Sequence, residues 1–221
     1  MPISKLINTV KQTEKTMRIK ICGTTNLKDA LLSIELGADA LGFIFYDKSK
    51  RFIQYNEAKA IIDQLPQSVP KVGVFVNSTI EEVNSAADRI GLSMIQLHGD
   101  ETPLYAKQIE KPVIKGFRID NNFDFALLDE YENCTFLFDN FVENELGGTG
   151  KSFDWNLIPE KLKNKIILAG GVSSKNIEEI FVNIKPSGVD LVSFVEKYPG
   201  KKDENKLKEF FNIVNKLRHK I

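Results

Sequence analysis

The chain has 221 residues, and its 30 lysines and arginines are balanced by 30 aspartates and glutamates. This neutral charge favours neither a nucleic-acid-binding surface nor a disordered acidic chain. The apolar runs are only as long as strands, so no membrane-spanning segment is predicted. The length is enough for one large domain or two small ones with a substantial core.

Few residues are available for metal or disulfide chemistry. Cys22 and Cys134 cannot form a disulfide framework, so we expect a reducing, cytoplasmic location. His98 and His219 are too far apart for a local zinc motif, and no metal site is expected. Residues 1–16 are polar and lack a signal-peptide core, so we interpret them as an N-terminal extension before one domain at 17–221.

The first clear element is a strand from Arg18 that ends at Gly23. Because side chains alternate along a strand, Lys20 and Cys22 share the face opposite Ile19 and Ile21. A thiol is thereby placed at the C-terminal tip of the strand. Taken alone, this position favours a packing role, since free cysteines are among the most buried residues.

Helices and strands alternate along the rest of the chain. Asn26 is a suitable N-cap for a helix at 27–36 that ends at Gly37, and Asn56 for a helix that ends near Leu65. Further helical segments are predicted after Ser78 or Thr79, at 101–109, at 123–129, near Trp155, at 174–184 and at 203–219. Strands are predicted at 40–45, 71–76, 93–98, 113–119, 134–139, 165–169 and 189–193.

Eight strands with a helical segment after each are typical of parallel βα units. Eight such units close a single (β/α)8 barrel, the TIM-barrel architecture, with a parallel eight-stranded sheet. An open doubly wound sheet is the alternative, but it typically has fewer strands and a glycine-rich turn after the first, where this chain has only Gly23. We therefore predict an α/β protein with a TIM barrel.

In such a barrel the functional side chains lie where the strands end. The positions that map to this rim are Cys22, His98, Asp139, Gly170-Gly171 and Ser193. Cys134 maps to the opposite rim, so a disulfide between the two cysteines is not expected.

Short motifs in a fixed order carry a resemblance to one known family. They are Lys20-Ile21-Cys22-Gly23, Gly42-Phe43-Ile44-Phe45 with Ser49-Lys50-Arg51, Val74-Phe75-Val76-Asn77, Gln96-Leu97-His98-Gly99, Phe138-Asp139 with Gly147-Gly148-Thr149-Gly150, Leu168-Ala169-Gly170-Gly171-Val172, and Val189-Asp190 with the segment 196–203. Together they resemble the phosphoribosylanthranilate isomerases of tryptophan biosynthesis over about residues 17–215.

The resemblance implies an Amadori rearrangement of a small phosphosugar, with Cys22 as general base and Asp139 as general acid. No cofactor is implied, because proton transfer alone is sufficient, and a monomer or a homodimer is left open. A base near neutrality needs a thiol pKa below its usual value of about 8.5, and Lys20 is a candidate source of the positive field. The ordinary alternative for Asp139 is a helix N-cap or an ion pair.

The resemblance also suggests how the substrate is held. Arg51 would bind the anthranilate carboxylate, which a guanidinium suits well. His98 would line the aromatic pocket, or it could simply bind a carbonyl of the rim. The phosphate would be held by backbone N–H groups near Gly148, Gly150, Gly170, Gly171 and Ser193, unless these glycines only serve tight turns.

One residue departs from the family pattern. Phe194 stands where the family usually has glycine, and a phenylalanine disfavours positive φ. Its N–H can still donate from an ordinary backbone conformation, so phosphate binding is retained with an altered local geometry.

The same alternation predicts an ion pair inside the barrel. Once the barrel closes, Lys20 on the first strand and Asp190 on the eighth are neighbours, and a buried lysine needs a partner. We expect their charged groups to lie within about 6 Å of each other.

Three other functions compete with the isomerase. The related histidine-pathway isomerase would have an aspartate in place of Cys22. A phosphate-binding barrel without activity would need neither Cys22 nor Asp139. An indole-glycerol-phosphate synthase-like lyase would need a catalytic lysine and a glutamate pair at strand ends, which the sequence does not offer.

Overall fold

The computed structural model describes residues 17–140 and 154–219, in which eight parallel strands close into a barrel. Its strands are β1 Arg18–Ile21, β2 Ala40–Ile44, β3 Lys71–Phe75, β4 Met94–Leu97, β5 Val113–Ile119, β6 Thr135–Asn140, β7 Ile166–Leu168 and β8 Gly188–Leu191. Each strand pairs with the next, and β8 pairs with β1, where Lys20 lies opposite Asp190. The predicted TIM barrel is confirmed. Segment 1–16 lies outside the described residues.

Helices surround the barrel. They are α1 Leu27–Leu36, α2 Tyr55–Ile62, α3 Ile80–Ile90, α4 Pro103–Ala106, α5 Glu160–Lys163, α6 Ile177–Glu179 and α7 Glu204–Arg218. Short 3-10 helices add Phe125–Glu130, Trp155–Leu157 and Ser193–Val195, and α6 continues into a π-helical turn, Ile180–Ile184. No helix among the described residues is long and apolar enough to cross a membrane.

Capping residues explain where several helices begin and end. The Asn26 side chain accepts the Asp29 N–H at the start of α1, and Gly37 ends the helix at φ 115°, as predicted. Helix α2 begins one residue before the predicted cap, Asn56. The reason is a capping box, in which Gln54 and Glu57 bond each other's backbone N–H groups.

The segment after β8 contains a two-stranded hairpin that the sequence patterns did not indicate. Strands β9, Glu196–Tyr198, and β10, Lys201–Lys202, pair antiparallel to each other. Two or three residues are too few for the alternation that reveals a strand in a sequence. The hairpin brings Glu196 and Lys202 together above the junction of β1 and β8.

The core has two parts. The larger cluster packs the outer faces of the strands against the helices and includes Phe43, Phe75 and Phe210. A small second cluster lies in the interior of the barrel and is formed by Val72 of β3, Ile114 of β5, Leu137 of β6 and Ala169, which directly follows β7. Polar side chains share the interior with it, and the site is built on them.

Candidate active site

Cys22 follows directly after β1, and its side chain is buried, with only 2% of the residue exposed. Gly42 on the neighbouring strand makes room for it. A Cβ atom on Gly42 would lie 2.5 Å from Cys22 Sγ and 3.1 Å from Lys20 Nζ. Both side chains therefore cross the same glycine inside the barrel, on the shared face that the alternation predicted.

Lys20 and Asp190 form the predicted ion pair. Lys20 Nζ donates to Asp190 Oδ2 at 2.8 Å, and both side chains are buried. This prediction is confirmed, and the pair connects the two strands that close the barrel. Asp190 Oδ1 has no hydrogen-bond partner among the described residues.

The electrostatics of the thiol differ from the expectation. Burial raises the pKa of Cys22, and the opposing effect of Lys20 does not outweigh it. Burial alone would lower the pKa of Lys20, but Asp190 and Cys22 together raise it, so the lysine stays charged. The expectation of a lowered thiol pKa is wrong for the free protein, because alternation along a strand does not show how deeply Cys22 is buried.

Asp139 lies near the end of β6 and is buried. Its Oδ1 accepts the N–H of Asn140 at 2.8 Å, and its Oδ2 lies 3.5 Å from His98 Nε2. Strand β6 stands three positions from β1 in the closed ring of eight strands, with β7 and β8 between them. The candidate acid and the candidate base thus lie on different sides of the barrel mouth, with two strands between them.

Two neighbours orient His98 toward Asp139. Gln96 Nε2 lies 3.0 Å from His98 Nδ1, and since an amide nitrogen donates, the ring proton is placed on Nε2, which faces Asp139. A Cβ atom on Gly116 would lie 2.5 Å from His98 Nδ1, so this glycine lets the imidazole cross β5. Of the two alternatives for His98, these contacts favour a place in the site over a bond to a rim carbonyl.

The Arg51 side chain reaches the thiol side of the barrel. A Cβ atom on Gly23 would lie 2.8 Å from Arg51 Cδ, and Gly23 itself adopts φ 73°. The guanidinium donates from Nε and Nη2 to both carboxylate oxygens of Glu196, at 2.8 to 3.0 Å. Arg51 and Cys22 are therefore neighbours, as a common substrate would require.

The candidate phosphate residues follow β7 and β8, which are adjacent strands. Gly170 and Gly171 both adopt positive φ, and a Cβ atom on Gly170 would lie 2.6 Å from Asp139 Oδ1. Gly170 is thus also needed for close packing against the candidate acid. Gly148 and Gly150 lie outside the described residues.

Phe194 does not require the positive φ that glycine would allow. It belongs to the short 3-10 helix that begins at Ser193, and it is absent from the non-glycine residues with positive φ, which among those described are Asn77, Asn133 and Lys185. Its ring packs against the core. The conformational conflict that the sequence suggested does not arise.

Four residues of the site were not singled out from the sequence for their roles. Gly42 and Gly116 carry a recognisable signal, because a glycine inside a strand often marks a close approach. Glu196 and Lys202 carry none, since charged residues near a glycine usually belong to a solvated turn. No cluster of three potential metal-binding side chains occurs within 17–140 and 154–219.

Known proteins resemble this chain over most of its length. A sequence model of the family described as N-(5'phosphoribosyl)anthranilate (PRA) isomerase matches residues 19–213. The N-(5'-phosphoribosyl)anthranilate isomerase of Pelobacter propionicus is 40% identical over 203 residues, which are 91% of this chain and 97% of that protein.

Two solved structures are also similar. One is a phosphoribosyl anthranilate isomerase in complex with reduced 1-(o-carboxyphenylamino)-1-deoxyribulose 5-phosphate, with TM-score 0.80, 37% identity, and coverage of 90% of this chain and 99% of that one. The other contains monomers generated from the dimeric enzyme of Thermotoga maritima, with TM-score 0.80, 36% identity and the same coverage.

Proposed function

Because the chain belongs to the N-(5'-phosphoribosyl)anthranilate isomerase family, we propose that Cys22 and Asp139 are the base and the acid of its reaction. The enzyme is an aldose–ketose isomerase of tryptophan biosynthesis. It rearranges N-(5-phosphoribosyl)anthranilate to 1-(2-carboxyphenylamino)-1-deoxyribulose 5-phosphate. The observation that carries the assignment is the placement of a buried thiol and a buried carboxyl group at one barrel mouth, at the ends of strands that β7 and β8 separate.

The first step opens the sugar ring. Asp139 donates a proton to the ring oxygen as the bond from this oxygen to C1′ breaks, and the anthranilate nitrogen forms a Schiff base with C1′. The Nε2–H group of His98, near Asp139 Oδ2, stabilises the carboxylate that remains. Gly170 lies close to the other oxygen, where any larger side chain would clash with it.

The second step moves the carbonyl group. The Cys22 thiolate removes the C2′ proton, the electrons shift toward the iminium nitrogen, and an enolamine forms. The enolamine then takes a proton at C1′ and loses one from the C2′ hydroxyl, which gives the aminoketose. The charged Lys20 favours the thiolate form of Cys22 during this step.

The remaining residues hold the two ends of the substrate. Arg51 binds the anthranilate carboxylate on the thiol side of the barrel. His98 lines the aromatic pocket as well as facing Asp139. The phosphate is bound by backbone N–H groups of the loops after β6, β7 and β8, at Gly148, Gly150, Gly170, Gly171, Ser193 and Phe194.

Turnover of the purified protein tests the function directly. Phosphoribosylanthranilate fluoresces, and we expect a steady loss of its fluorescence that depends on enzyme and needs no added metal or cofactor. Pretreatment with a chelator should leave the rate unchanged, since the proposed chemistry is proton transfer alone. Binding of the substrate without turnover would contradict the proposal and favour a phosphate-binding barrel.

The pH profile should report the buried thiol. Because burial raises the pKa of Cys22, the thiolate fraction at neutral pH is small, and kcat/KM should rise with pH up to values above the usual thiol pKa. Replacing Lys20 with methionine removes the group that lowers this pKa. The rising part of the profile of kcat/KM against pH should then move to higher pH. At pH 7.5, kcat/KM should fall about tenfold for each pH unit by which the profile moves.

A double variant controls for the buried charge that Lys20→Met leaves behind. Lys20→Met combined with Asp190→Asn removes both charges, and Asp190 opposes Lys20 in its effect on the pKa of Cys22. The rising part of the pH profile should therefore move less in the double variant than in the single variant. Circular dichroism checks that Lys20→Met is folded. If its pH profile is nevertheless the same as that of the wild type, Lys20 does not act on the base.

Location, assembly and domain limits complete the proposal. A base that acts as a free thiol suits a reducing compartment, and we place the enzyme in the cytoplasm. The chain acts on its small phosphosugar as a monomer or a homodimer, without nucleic-acid or membrane partners. The catalytic domain is assigned to 17–221, with residues 1–16 as an extension that the reaction does not need.

A further inference from the structure

Arg51 is held by a carboxylate that comes from the far end of the chain. Glu196 accepts hydrogen bonds from Arg51 Nε at 3.0 Å and from Nη2 at 2.8 Å, so both of its oxygens bind one edge of the guanidinium. The Glu196 side chain is 3% exposed and that of Arg51 13%. A buried bidentate pair of this kind fixes the orientation of the guanidinium plane.

Among residues 17–140 and 154–219, no hydrogen-bond partner occupies the other edge of the guanidinium. A guanidinium has five N–H donors in a rigid fork, and Glu196 uses the edge formed by Nε and Nη2. The outer edge, formed by Nη1 and the second hydrogen of Nη2, still offers two parallel N–H groups. This edge fits a second carboxylate in the same bidentate manner.

Glu196 is itself anchored at two more points. It accepts the backbone N–H of Gly200 at 3.1 Å and a hydrogen bond from Lys202 Nζ at 3.2 Å. Lys202 Nζ also donates to the carbonyl oxygen of Cys22. The carboxylate that orients Arg51 is thus connected through one lysine to the backbone that carries the candidate base.

We propose that Glu196 is a positioning residue, which holds Arg51 by one edge so that the opposite edge binds the carboxylate of the anthranilate ring. The inference rests on the proposed role of Arg51 and adds to it. Through Lys202, Glu196 also sets where this carboxylate lies relative to Cys22. Arg51 therefore serves two carboxylates at once, and lysine could not replace it, because an ammonium group has no second edge.

A pair of ligands separates this role from a merely structural one. The first is the reduced product, 1-(2-carboxyphenylamino)-1-deoxyribitol 5-phosphate, and the second is the same molecule without the carboxyl group. Titration calorimetry gives both Kd values, and their ratio measures what the carboxylate contributes. In the wild type we expect the carboxylated ligand to bind about 100-fold more tightly, as for two charge-assisted hydrogen bonds.

Glu196→Gln should lower this ratio at least tenfold and leave the Kd of the carboxyl-free ligand within threefold of wild type. Asp29→Asn is the matched control, because Asp29 is equally buried and contacts Lys201 and the backbone N–H of Lys202. It makes no contact with Arg51 among the described hydrogen bonds, and the ratio should stay within twofold of wild type.

Two results would overturn the inference. One is an unchanged ratio of the two Kd values in Glu196→Gln. The other is an equal loss of affinity for both ligands, which would make the role of Glu196 purely structural. Arg51→Gln separates this failure from failure of the underlying role. If Arg51→Gln brings the ratio of the two Kd values close to one and Glu196→Gln does not, only the positioning role of Glu196 is wrong. If Arg51→Gln leaves this ratio unchanged, the proposed role of Arg51 itself is wrong.

Glu196→Asp covers the case in which the glutamine variant does not fold. The aspartate keeps the charge for Lys202, but its side chain is one methylene shorter, so the guanidinium is drawn back from the substrate. The ratio should again fall at least tenfold with the carboxyl-free ligand still bound. A wild-type ratio in Glu196→Asp would also overturn the proposal.

Discussion

Cys22→Ser is expected to lower kcat at least 100-fold with little change in KM. A serine hydroxyl is nearly the same size as the thiol, but it is a far weaker acid, so almost no alkoxide is available to remove the C2′ proton. The fluorescence assay gives kcat and KM, and circular dichroism checks that the barrel is folded. The loss appears in kcat because the substrate contacts are unchanged.

The second cysteine provides the matched control. Cys134 immediately precedes β6 at the opposite end of the barrel, and it is partly buried. Cys134→Ser should keep kcat within about twofold of the wild type. Retention of a tenth or more of wild-type kcat by Cys22→Ser would remove Cys22 from the chemistry and return it to a packing role.

Asp139→Asn is expected to lower kcat by two or more orders of magnitude. The amide oxygen can still accept the Asn140 N–H, so the local fold is preserved, but the amide cannot donate a proton to the ring oxygen in the way a carboxylic acid does. The fluorescence assay again measures the loss, and the affinity for the reduced product should remain close to that of the wild type.

Asp120 offers a comparison on the same rim. It follows the neighbouring strand β5, and its side chain accepts the Asn122 N–H in a turn. Asp120→Asn should stay within a few-fold of wild-type kcat, because a turn tolerates an asparagine. If both aspartate variants lose activity to the same extent, the loss in Asp139→Asn reflects a general disturbance of the rim and not the removal of a catalytic acid.

The barrel could be predicted because its signals are local. Most strands are short and largely apolar, and alternation alone placed Lys20 and Cys22 on one face of β1. The pairing of Lys20 with Asp190 could be predicted from the sequence, because a barrel of eight strands must bring the first strand next to the last strand. Their distance of 2.8 Å agrees with that reasoning.

The fine structure of the site could not be predicted, because it depends on contacts between distant segments. The bond between Arg51 and Glu196 spans 145 positions of the sequence, and no periodicity records it. The start of α2 was misplaced, since the Gln54 capping box competes with Asn56. The pKa of Cys22 was predicted in the wrong direction, since alternation gives the face of a residue but not the depth of its burial.

The closure of the barrel has a consequence for synthesis of the chain. Lys20 emerges early from the ribosome, but its partner Asp190 is 170 residues away, and Lys202, which holds the Cys22 carbonyl, comes later still. Arg218 in α7 then bonds the backbone of Met17 and Gly37. In a nascent chain Lys20 therefore lacks its partner Asp190 until β8 is made. Isomerase activity cannot arise before β8 and the hairpin after it are made and have met β1.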